Sequence, residues 1–141
     1  MKLPTERRTI INVFPQLTFV VTKLFIMSYE KYQSCIDACY NCATECRHCT
    51  NACLEEKDVK DLTHCIKLNN DCAAMCVLSA KLTAGGSEFA IQLGELCAAM
   101  CNTCAKECEK HAHMEHCRKC AEVCRACAKE CRLMSRETLM L

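Results

Sequence analysis

The sequence predicts an all-α protein, an antiparallel up-down-up-down four-helix bundle with a cysteine-lined core. Three observations carry this expectation. Cysteines recur at alternating steps of three and four residues, which is the a/d seam of a heptad and puts them on one face of a helix. The pattern C-x-x-C-A-x-E-C occurs at Cys39–Cys46, Cys101–Cys108 and Cys124–Cys131, and Cys72-Ala-Ala-Met-Cys76 returns as Cys97-Ala-Ala-Met-Cys101. Turn signals separate four segments, each long enough for a helix of roughly 20–27 residues.

Residues 1–27 form an N-terminal extension expected to lie outside the core. Both prolines, Pro4 and Pro15, fall here, no cysteine does, and β-branched and aromatic residues crowd Thr9 to Ile26. Three readings compete. Arg7-Arg8 before a weakly apolar run can be read as an export signal, although Pro15 and Lys23 interrupt the run and no Ala-x-Ala-like cleavage site follows. A packed amphipathic arm is the second reading. In the third, which the sequence favours, Met27 is the natural start, and what precedes it is upstream sequence or an unstructured tail.

The bundle is expected over residues 28–135, with a C-terminal tail at 136–141. Ser28 is a suitable N-cap for a first helix carrying Cys35, Cys39, Cys42, Cys46, Cys49 and Cys53. Leu54–Asp58 reads as a short turn, with Asp58 capping a second helix from Val59 to Thr83. That helix carries Cys65, Cys72 and Cys76, while Asn69 and Ser79 take two places on the same seam. Gly85-Gly86 ends it and Ser87 is expected to cap the third helix. The third holds Cys97, Cys101, Cys104 and Cys108, with Gly94 on the seam one turn earlier. The fourth, from about Met114 to Ser135, holds Cys117, Cys120, Cys124, Cys127 and Cys131. The alanines of the repeats let neighbouring helices approach, and the glutamates and lysines fall outside the seam.

Length and charge narrow the function classes. The 141 residues suit one domain, and 18 cysteines leave disulfide staples, redox centres or metal ligands as the choices. The formal charge of +1, with basic and acidic residues spread along the chain, argues against a nucleic-acid footprint. No stretch is apolar over the ~18 residues that a membrane span needs.

Seam positions of a bundle normally hold Leu, Ile or Val. One or two cysteines there could be small core hydrophobes. Eighteen in register forfeit on the order of 1 kcal/mol for each methylene-sized volume lost, with no structural return. Disulfides fit poorly as well, because helical i, i+3 and i, i+4 pairs have Cβ atoms ~5–6 Å apart, whereas a bridge wants ~3.5–4.5 Å. A metal–sulfur bond is ~2.3 Å, so two thiolates bridged almost linearly sit roughly 4.5 Å apart, within reach of neighbouring seam cysteines.

Soft thiolates select Cu(I), zinc or iron–sulfur clusters. The 3/4 alternation lacks the compact loop motifs of iron–sulfur proteins, and a continuous stripe does not partition into isolated tetrahedral zinc sites. One Cu(I) per thiolate, with each sulfur bridging two ions, neutralises a buried core at low coordination number. The leading expectation is therefore sequestration of many Cu(I) ions per chain, not catalysis. A zinc or general thiophilic-metal buffer and a thiol redox enzyme remain the alternatives.

His111, His113, Met114 and His116 gather in the 3–4 connection, beside Cys117 and at the expected end of Cys53 and Cys108. Imidazole and thioether bind Cu(I) more weakly than thiolate and could pass ions inward; solvated loop residues are the other reading. His48 and His64 are expected at the surface, and Met75 and Met100 in packing. Phe89, Leu93, Leu96 and Met100 form a second apolar stripe that completes the core edge or faces another subunit.

The cysteine seams, the repeated C-x-x-C-A-x-E-C and the His111–Cys131 stretch resemble the copper storage proteins, over residues 28–135. The resemblance implies a core that takes up many Cu(I) ions, with the 18 cysteines inward and loading through an open end bearing His or Met. It also implies an assembly of several bundles, commonly a homotetramer, and a copper donor or acceptor protein as partner. Family members occur in cytosolic and exported forms, and a cytoplasmic location is expected here. The extension and the sparse second helix, with Asn69 and Ser79 on its seam, depart from the pattern.

Overall fold

Cysteine and alanine are the smallest apolar side chains apart from glycine, and a core made of them draws helix axes close together. A computed structural model describes the backbone of residues 15–139 and the side chains of residues 32–138. Its chain divides into two units, Met1–Lys31 and Tyr32–Leu141. The first is helical from Pro15 onward; Pro4 and Arg7-Arg8, on which the export reading leans, lie outside the described residues.

Four α-helices and one 3-10 turn are present among the described residues: α1 Pro15–Leu54, the turn Val59–Leu62, α2 Thr63–Ala84, α3 Ala90–Glu109 and α4 Glu115–Leu139. The helix order and the connections agree with expectation, and the ends differ in instructive ways. Helix α1 starts at Pro15, so Ser28 lies inside it and caps nothing. Proline suits a first helical position because its φ is preset and its missing N–H has no partner there anyway. Asp58 makes no side-chain cap, and the expected first turn of the second helix is the 3-10 turn instead. Helix α4 runs four residues beyond the expected Ser135.

The α2–α3 connection behaves as its glycines require. Gly86 takes φ +67°, a left-handed conformation that glycine adopts without a steric penalty. The Ser87 N–H then reaches the Leu82 carbonyl at 2.9 Å and the Gly86 N–H reaches Thr83 at 3.1 Å, closing a Schellman motif. Ser87 does not cap α3 directly, because α3 begins at Ala90. Its Oγ accepts the Phe89 N–H at 3.1 Å, bracing the chain just before the helix.

Cross-helix pairs fix an antiparallel register. Cys35 faces Cys131 and Cys53 faces Cys117, so α1 and α4 run in opposite directions. Cys65 faces Cys108 and Cys76 faces Cys97, which sets α2 against α3 in the same way. Polar pins repeat the register on the surface. Arg47 donates to Asn70 at 2.9 Å between α1 and α2, and Ser34 donates to Glu130 at 2.9 Å between α1 and α4. Arg125 bonds Glu109 through two nitrogens, at 3.0 and 3.1 Å, between α4 and the end of α3.

Candidate metal centre

All eighteen thiols are free and buried, none more than 1% exposed. Every cysteine predicted as a ligand therefore points inward, as the seam requires. Neighbouring sulfurs touch along the whole interior. Cys42 lies 3.7 Å from Cys124, Cys46 3.6 Å from Cys124, Cys72 3.6 Å from Cys101, and Cys39 3.6 Å from Cys131. Along single helices the i, i+4 sulfurs are slightly farther apart, 4.0 Å for Cys42–Cys46 and 3.9 Å for Cys49–Cys53.

The contacts organise into fourfold groups whose ligand atoms lie within 4.8 Å of one another. From the connection end they include Cys49, Cys53, Cys117 and His116; then Cys46, Cys104, Cys120 and Cys124; then Cys42, Cys46, Cys72 and Cys124; then Cys42, Cys76, Cys101 and Cys127; then Cys39, Cys97, Cys127 and Cys131. Cys42, Cys46, Cys124 and Cys127 each serve more than one group. The sulfurs thus form a column with shared rungs, not a row of separate tetrahedral sites. Two ~2.3 Å metal–sulfur bonds in line need sulfurs about 4.6 Å apart, so pairs now in contact would separate by up to ~1 Å, a side-chain adjustment.

Burial opposes thiolate formation throughout the metal-free core, while hydrogen bonds between neighbouring thiols lower some of them, Cys39 and Cys49 among them, and raise others. Burial pushes the Cys53 pKa up, aided by the negative charge that Cys49 and Cys65 would carry. Cys117 is raised by hydrogen bonds with Cys49 and Cys65 and by burial. At Cys35 the hydrogen bond with Cys131 pulls downward, but that with Cys39, burial and nearby thiolate charge carry the pKa up to about 12. A soft cation that replaces these protons also removes the cause of the opposition, because it neutralises each charge where it forms.

Asn69 and Ser79 are both completely buried on the α2 seam. Asn69 Oδ1 accepts from Cys104 Sγ at 3.0 Å, Cys120 at 3.4 Å and Cys108 at 3.6 Å, and its Nδ2 donates to Cys65 at 3.7 Å. Ser79 Oγ and Thr83 Oγ1, nearer the other end, have no protein partner.

The predicted histidines separate by position. His116 is the one brought to the thiols: its Nδ1 lies 3.5 Å from Cys117, 3.6 Å from Cys49 and 3.8 Å from Cys53. Its Nε2 faces Glu56 Oε1 at 3.1 Å. Burial lowers the His116 pKa, but the hydrogen bonds to Cys49 and Glu56 outweigh it and the net shift is upward. His111 turns its Nε2 towards Glu107 Oε1 at 3.4 Å. His113 is exposed, and with His111, Met114, Asp58 and Asp61 it lines a cleft of about 620 Å³ at this end. His48 and His64 are exposed, as expected.

Two residues escaped the sequence reading. Glu107 was expected outside the seam with the other repeat glutamates, yet only 7% of it is exposed, and Lys110 donates to it at 2.7 Å. Glu56, in the 1–2 connection, carries no motif at all. The only signal for Glu107 was its spacing from Lys110 and His111; for Glu56 the pairing spans sixty residues and no local pattern could reveal it.

The family described as copper storage protein matches residues 28–136. A cysteine-rich protein of Bacillus subtilis, YhjQ, of uncharacterised function, is 42% identical over 93 residues, which is 65% of this chain and 85% of that protein. A cytosolic copper storage protein from Streptomyces lividans, solved with five coppers, superposes with a TM-score of 0.75 at 37% identity, covering 78% of this chain and 96% of that one. Apo copper storage protein 3 from Bacillus subtilis superposes with a TM-score of 0.67 at 40% identity, covering 73% and 97%.

Proposed function

The chain belongs to the copper storage protein family, and from that premise we propose that its eighteen core cysteines are the ligands through which it holds copper. The protein stores many Cu(I) ions in its core. The observation that carries the ligand assignment is the overlap of the thiol groups, in which one sulfur serves two neighbouring sites. Bridging thiolates at low coordination number suit monovalent copper; zinc would want four sulfurs to itself at each site.

His111, His113 and His116 belong in this proposal as entry ligands, with His116 nearest the thiols and the other two in the cleft outside it. A copper-delivering or copper-accepting protein would meet the molecule at this end. The role is storage and detoxification. It involves no catalytic step, and the complete burial of the thiols leaves no exposed nucleophile among them for a redox enzyme. We place the bundle at residues 28–135, with residues 1–27 as an extension outside the metal core.

No helix among the described residues is long and apolar enough to cross a membrane. A cytoplasmic location is proposed because a column of free thiols needs a reducing compartment, and the Streptomyces relative is a cytosolic protein. A homotetramer is proposed on the apolar stripe that runs from just before α3 along that helix, where Phe89 is 58% and Leu96 48% exposed. Light scattering coupled to gel filtration checks the assembly.

Anaerobic titration with Cu(I), counting ions bound against thiols lost, tests the function. Uptake of several ions with parallel loss of most thiols is expected, and excess Zn(II) should not displace them. A capacity of one or two ions per chain removes the storage reading.

A further inference from the structure

Resting on the storage reading, we propose that Glu56 is a positioning residue: it accepts a hydrogen bond from the Nε2–H of His116 and so holds the unprotonated Nδ1 of that ring towards Cys49, Cys53 and Cys117, as a nitrogen ligand for Cu(I) beside these thiols at the mouth of the bundle. A neutral imidazole carries one N–H, and an ionised carboxylate can only accept. The 3.1 Å contact between Glu56 Oε1 and His116 Nε2 therefore places the hydrogen on Nε2 and leaves a lone pair on Nδ1. That lone pair sits 3.5, 3.6 and 3.8 Å from three sulfurs, and the four ligand atoms lie within 4.8 Å of one another.

The backbone fixes Glu56 relative to the same sulfurs. Its N–H donates to the carbonyl of Cys53 at 3.2 Å, so one short turn carries both a thiol of the site and the carboxylate that orients the imidazole. His116 approaches from α4, adjacent to Cys117. Without the carboxylate the ring can exchange its tautomer or turn about χ2, and Nδ1 is then no longer committed to the thiols. The Glu56 side chain is 41% exposed, so the pair adds little to folding; its consequence is orientation. A carboxylate behind a metal-binding imidazole typically raises affinity by about 10–100-fold.

The test uses the full chain, reduced and metal-free, with ring nitrogens observed by long-range proton–nitrogen NMR at alkaline pH, where the imidazole is neutral. His116 should show protonated Nε2 and unprotonated Nδ1 in the wild type and in Glu56→Gln, whose amide oxygen can still accept. Glu56→Ala should show mixed tautomers, with helical circular dichroism unchanged. On adding Cu(I), the His116 Nδ1 resonance should move in the wild type and in Glu56→Gln. Competition with a Cu(I) chelator should find the tightest-bound end ion weakened about 10-fold in Glu56→Ala at unchanged total capacity. An unchanged tautomer in Glu56→Ala overturns the proposal, and so does an Nδ1 that ignores copper in the wild type. If the tautomers behave as stated but the wild type binds only one or two ions, the storage reading has failed while the orienting contact stands, and the proposed ligand role falls with it.

Discussion

Asn69 replaces a thiol on the α2 seam, and three cysteines from two other helices converge on its Oδ1. Truncating it leaves a cavity at a fully buried position, so Asn69→Ala should destabilise the metal-free protein by about 2 kcal/mol in urea denaturation. Thiols are weak donors and lose little when unpartnered. Asn69→Leu, which refills the volume, should recover most of the loss; equal loss in both variants would assign the effect to the hydrogen bonds instead. Glu107 supplies a pH signature of its own. The hydrogen bond from Lys110, against the opposing effect of burial and with help from His111, holds its carboxyl below the ordinary value of 4.5. A lowered folded pKa means stabilisation that is complete above the unfolded value and is lost as pH falls through the folded one. Thermal melts of the wild type should therefore decline below about pH 4.5, and Glu107→Gln should flatten that decline.

At the scale of the helices, Gly94 lets α3 lie close against α4. A Cβ built on Gly94 would stand 2.9 Å from Met134 Cε, 3.5 Å from Ser135 Oγ and 3.9 Å from the Cys131 carbonyl. The nearest of these is the far end of a flexible side chain, which can swing aside. Gly94→Ala gains about 1 kcal/mol of helix propensity and loses a similar amount in displacing Met134, so denaturation midpoints should barely move. Gly94→Leu has nowhere to go against the α4 backbone and should cost about 1–3 kcal/mol. The same pair of variants reads out the packing of the end of the bundle remote from the histidines, where Ser79 and Thr83 replace thiols.

For the whole molecule, the core of protonated thiols is a set of neutral small apolar groups, and the bundle should be helical by circular dichroism before any metal is added. Some of its thiols ionise only above their ordinary range. Burial raises Cys53, and hydrogen bonds with Cys49 and Cys65 followed by burial raise Cys117, from an ordinary value of 9.0. Groups raised in the folded state contribute stability that is present below the unfolded pKa and lost as pH climbs through the folded one. The metal-free, reduced bundle should accordingly loosen above about pH 9, while the copper-loaded form, whose sulfurs have no proton left to lose, should not. The converse applies to loading. Each ion must displace protons, so apparent Cu(I) affinity should weaken as pH falls, which chelator competition across pH will measure.

The seam of cysteines at steps of three and four determined the helices, their inward faces and, through the chemistry of soft thiolates, the class of cargo; periodicity is a local property and one chain displays it. The helix ends were less legible. Pro15 starting α1 and the 3-10 turn before α2 depend on capping geometry that competes with tertiary packing at Ser28 and Asp58. Only the tertiary structure decided which sulfurs share a rung, that His116 and not His113 reaches them, and that Glu56 stands behind it. Most of those facts are distances between residues far apart along the chain, as far as the 92 positions between Cys39 and Cys131. They follow from the relative rotation and register of packed helices, which spacing along one strand of sequence does not encode.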